Sequence, residues 1–69
     1  MDMKSIETNL LTGKKVPNRD LIRAVEFFGA LADNLADLGP RWHFAFGEAN
    51  RLYVLCRSYA RARGLIPKP

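Results

Sequence analysis

The sequence predicts an all-α fold: an antiparallel two-helix hairpin that dimerises into a four-helix bundle. Three observations carry that expectation. Residues 18–38 and 41–63 both show the apolar spacing of a helix. A Gly39-Pro40 pair stands between them. Both stretches also own more apolar surface than one neighbouring helix covers.

Residues 1–17 read as a lead-in. Ser5 to Leu11 can form one or two helical turns stopped at Gly13, or remain an extended arm. Lys14, Lys15, Val16 and Pro17 follow as a basic linker, and Pro17 disfavours helix at the residue before it. Asn18 is the expected N-cap of the first long helix, with Asp20 in the turn where the helix dipole favours negative charge. Along 18–38, Leu21, Phe28 and Leu35 recur every seven residues, with Ala24, Leu31 and Leu38 between them. Gly39 suits the left-handed position after a helix, and Pro40 suits the first turn of the next. So short a turn sends the second helix back beside the first. On that helix, 41–63, Leu52, Tyr53, Cys56 and Tyr59 fall within one broad apolar face. Gly64 ends the helix and 65–69 form a tail. The expected core or dimer seam is therefore Leu21, Phe28, Leu31, Leu35, Leu38, Leu52, Tyr53, Cys56 and Tyr59.

Size makes the demand for a partner surface acute. A 69-residue chain forms one small domain, and a core of that size supplies about 3–5 kcal/mol. One cysteine permits no internal disulfide, and a lone thiol fits a reducing cytoplasm. Cys56 and the single His43 do not make a closed metal site, so neither metal nor cofactor is expected. The N-terminus lacks the apolar core of a signal peptide, and no stretch approaches the ~18–20 apolar residues of a membrane span. A cytoplasmic protein that associates with itself is the expectation.

The densest candidate site is Arg41, Trp42, His43, Phe44 and Phe46, beside the turn. Successive residues differ by ~100° around a helix, so Trp42, His43 and Phe44 cannot all enter one core. An exposed aromatic rimmed by arginine has the composition of a protein-binding hot spot. The alternative is that Trp42 and Phe46 cap the core while Phe44 meets a dimer mate. Asp33 and Asp37 sit where negative charge opposes the helix dipole. They are candidates for pairing with Arg41 or with a basic partner, against simple solvation. His43 has no positioned nucleophile or carboxylate in sequence, which leaves it a surface imidazole and gives no case for an enzyme.

The net charge of +4 and a pI near 9.7 admit nucleic acid as a second class of partner. Arg51, Arg57 and Arg61, with Arg63 and Lys68, make the end of the second helix basic. No known reader motif fits, since helix-turn-helix units use shorter helices. A DNA-binding accessory protein is the alternative to a protein-binding regulator.

In chain length, in the hairpin joined at Gly39-Pro40, and in its Arg-rich, Leu/Ala-rich helices, the sequence resembles small phage-encoded helical regulators that inactivate host proteins. Among these it is most similar to the anti-quorum-sensing antiactivators of Pseudomonas-type phages. The resemblance covers about 18–63. It implies a dimer in the host bacterial cytoplasm that binds a quorum-sensing transcription activator and keeps it from DNA, with a pilus assembly ATPase as a second target. It carries no residue-by-residue assignment.

Overall fold

The computed structural model describes residues 1–67 and is all-α, with no strand among them. Three helices form: α1 (Met3–Thr12), α2 (Asn18–Asp37) and α3 (His43–Ala62). The two long ones run antiparallel. Asn18 at the start of α2 meets Arg63 at the end of α3, and Gly29 lies against the Tyr53 ring. Leu35 and Ala36 share a hollow with His43 and Phe46.

The lead-in is a helix. Asp2 caps it, its carboxylate accepting the Ser5 N–H at 2.7 Å. That bond holds the Asp2 carboxyl below its ordinary value. Gly13 closes the helix, and the Lys14 N–H reaches back to the Asn9 carbonyl at 2.9 Å. Ile6, Leu10 and Val16 are then buried against the hairpin with Leu21, Ala24, Phe28, Leu52, Cys56 and Ala60. This corrects the two-helix expectation: part of the surplus apolar face is covered by the chain's own N-terminal segment rather than by a second copy.

Three local expectations change as well. Asn18 does not cap α2. It is the first helical residue after Pro17, and its side-chain oxygen accepts from Arg63 Nη1 at 3.1 Å. The same Nη1 donates to the Val16 carbonyl, so one guanidinium ties the linker to the end of α3. Gly39 has φ 91° and ψ −172°, a mirror-extended conformation rather than the left-handed helical one. Only glycine takes it cheaply, and it turns the chain sharply enough for an immediate return. The second long helix starts later than residue 41, because Pro40–Trp42 form a 3₁₀ turn in which the Trp42 N–H bonds to the Gly39 carbonyl at 3.1 Å.

The seam residues divide. Leu21, Phe28, Leu52 and Cys56 are buried, while Leu31, Leu35 and Tyr53 are half-buried. Leu38 (57% exposed) and Tyr59 (40%) stay outside the core of the single chain. Helix periodicity gives a side chain its direction but does not place a neighbour there. Ala32, Ala49 and Ala60 complete the interior, and their small side chains let the helices approach.

Candidate protein-binding surface

Helix α1 has 10 residues and α2 and α3 have 20 each. At ~1.5 Å per residue, α1 spans about 15 Å of a hairpin about 30 Å long. It lies over the open end, where Leu10 and Val16 share a pocket wall with Leu21, Tyr59 and Arg63. Its N-terminal residue Met3 reaches Phe28 and Leu31 near the middle. The rest of the face is uncovered.

What remains is an apolar groove of about 730 Å³. Met3 closes one end. From α2 come Phe27, Phe28, Leu31 and Leu35, and from α3 come Ala45, Ala49 and Leu52. The two alanines lie one helical turn apart, so α3 presents a low floor beside the tall α2 wall. Phe27, 46% exposed, stands edge-on to Phe28 with ring centres 5.2 Å apart. Charge is confined to Lys4, Glu7 and Glu48.

Leu35 joins this groove to a second hollow of about 280 Å³ at the turn, lined by Ala36, Gly39, Pro40, His43 and Phe46. Near it in sequence, Leu38, Trp42 and Phe44 are 57%, 46% and 83% exposed. Phe46 is half-buried, and Arg41 and His43 are exposed. Of the aromatic cluster, then, Phe44 projects furthest. Trp42 is about half covered.

Asp33 and Asp37 are exposed, and no ion pair links either to Arg41; among the described residues the one ion pair is Arg23 with Asp20, at 3.7 Å. No three metal-binding side chains converge among those residues. The Cys56 thiol is buried and donates to the Tyr53 carbonyl at 3.3 Å, and burial pushes it up to about 11. No described helix is long and apolar enough to cross a membrane.

The arginines expected to form a nucleic-acid face, Arg51, Arg57 and Arg61, are not on one stripe of α3. Arg57 and Arg61 lie one turn apart, with the Arg57 guanidinium 4.9 Å above the Tyr53 ring. Arg51 is displaced from Arg57 by roughly 120° around the helix. Lys68 lies outside the described residues.

Helix periodicity puts Phe27, Ala45 and Ala49 on apolar faces, but sequence reasoning assigned neither these nor Met3 to a site. The signal was present in the alanine pair facing a leucine pair, but a groove is empty space, and only α1's stopping point defines it. The chain matches no family model, no curated protein and no solved structure.

Proposed function

We propose that this chain is a small non-enzymatic regulator that binds a larger host protein and blocks it. In this reading an apolar helix face of the target occupies the groove between α1, α2 and α3. Phe44 and Trp42 bind beside it as aromatic anchors, with Arg41 at the rim. What supports the reading is one observation: an apolar groove runs from Phe27 to Leu35, which it shares with the hollow at the turn, and the nearby Phe44 is 83% exposed. A chain this small has little reason to expose so much aromatic surface unless something covers it. The sequence resemblance makes a quorum-sensing transcription activator the first target to test.

Calorimetric titration of such activators with wild type, Phe44→Ala and Phe27→Ser is the direct experiment. Both positions are exposed, so the fold is retained. Each substitution is expected to weaken binding by about thirty-fold, the effect of losing about 2 kcal/mol at a hot spot. If both variants bind as tightly as wild type, the groove and turn are not the interface. Homodimerisation belongs to the same proposal, with exposed Leu38 and Tyr59 as its contacts. Light scattering that gives a monomer mass at every concentration removes that part and leaves the groove untouched.

A further inference from the structure

We propose that the open end of the hairpin, opposite the turn, binds the phosphate backbone of duplex DNA. This goes beyond the protein-binding reading and does not depend on it.

The hydrogen bond from Arg63 to Asn18 fixes the geometry, because it holds the start of α2 against the end of α3. Cations distant in sequence thereby share one end of the molecule. Lys14 and Lys15 come from the linker, Arg19 from the first turn of α2, and Arg57, Arg61 and Arg63 from the end of α3. Asp20 is the carboxylate of this end, and it is engaged with Arg23. The acids Asp33, Asp37 and Glu48 lie toward the turn, Glu26 lies near the middle of α2, and Glu7 of α1 lies beside the groove. Arg41 is the arginine at the turn, so the two ends of the hairpin differ in charge. Like charges gathered at one end repel one another. Grouping six of them therefore opposes folding unless a polyanion neutralises them.

The neighbourhood selects among polyanions. A lipid surface needs apolar and basic side chains on one side. Here Leu38, Trp42 and Phe44 lie at the turn and Phe27 at the middle of α2, and the large exposed apolar residues left at the open end are Leu11 and Tyr59. Single-stranded nucleic acid is held by aromatic platforms as well as charge. At this end Tyr59 is the one aromatic that is exposed, whereas Tyr53 lies beneath Arg57. A duplex requires cations alone for its backbone. The two shorter dimensions of the molecule are 27 and 16 Å, so the end can lie along roughly 8 base pairs at ~3.4 Å each.

The test is fluorescence anisotropy with a labelled DNA duplex, a single strand of equal length, and vesicles of half anionic lipid. Binding to the duplex is expected at 50 mM salt, with log K falling against log salt at a slope near −3 to −4, as for about four phosphates. Lys14→Ala with Lys15→Ala, at exposed linker positions, should reduce that slope by about 2 and the affinity by at least ten-fold. Arg57→Gln with Arg61→Gln should do the same, and Phe44→Ala should change nothing. Absence of a duplex complex at 50 mM salt overturns the proposal. So does a salt-independent complex, a preference for vesicles or single strand, or full affinity in the lysine variant.

Discussion

Replacing Ile6 with alanine tests whether α1 is part of the core or an appendage on a self-sufficient hairpin. Ile6 is fully buried, one helical turn from Leu10, which is 4% exposed. Truncating a buried isoleucine to alanine costs about 2–5 kcal/mol, the sum of lost transfer energy and the cavity left behind. A short edge helix can settle partly into the gap, which places Ile6→Ala near the lower end, about 2–3 kcal/mol. For a domain with roughly 3–5 kcal/mol in hand, about half the stability or more goes. At about 4–8 °C per kcal/mol, the melting temperature falls by roughly 10–20 °C. Leu11→Ala is the control, because it removes an aliphatic side chain of the same size from the same helix at a position 60% exposed. It should stay within about 0.5 kcal/mol of wild type. Urea unfolding followed by far-ultraviolet circular dichroism reads both. If Ile6→Ala and Leu11→Ala have the same midpoint, α1 does not contribute to the core, and the half-covered hairpin is wrong.

Two further outcomes follow from the same packing. An ideal Cβ at Gly29 would lie 3.0 Å from Cε1 of Tyr53, whose ring carries Arg57 above it, whereas one at Gly47 meets nothing within 4 Å. Gly47→Ala should therefore gain about 0.5–1 kcal/mol of helix propensity. Gly29→Ala should lose about 1 kcal/mol, because overpacking of about 1–3 kcal/mol outweighs the same gain; paired urea melts that show equal gains would refute the close approach. The Cys56 thiol, raised from 9.0 to about 11 by burial, should react with a disulfide reagent at pH 8 about a hundred-fold more slowly than in urea, from its thiolate fraction alone. The unfolded chain releases this proton above pH 9.0 and the folded chain keeps it to about 11, so stability is full below pH 9 and falls as pH rises toward 11. Native labelling as fast as in urea would place the thiol at the surface.

Much of this architecture is legible where a local pattern decides it. The seven-residue recurrence of Leu21, Phe28 and Leu35 marks α2, and Gly13, Gly39 and Gly64 stand just past the ends of three helical segments. What the pattern does not show depends on distant residues. Asn18 has the local chemistry of a cap, but a guanidinium 45 residues away takes its side chain. Leu38 and Tyr59 carry the right periodicity, yet α1 stops short of one and the other lies at the rim of the linker pocket. Ile6 and Leu10 make too short a stripe to predict their own docking, because the site they fill exists only once the hairpin has formed.

The length of α1 connects these results. A helix twice as long would cover the groove to the turn, bury Phe27 and Leu35, and leave a closed three-helix bundle with nothing to offer. Ten residues close the core over Cys56 and stop, because Asp2 caps the helix at its start and Gly13 ends it. The stop leaves the half of the hairpin with acidic and aromatic residues open and keeps the basic half compact. A protein seated in the groove would therefore not cover Lys14, Lys15 or Arg61 at the other end. The two proposed ligands would occupy the molecule together, without competing, and substitutions at one end should leave affinity at the other unchanged.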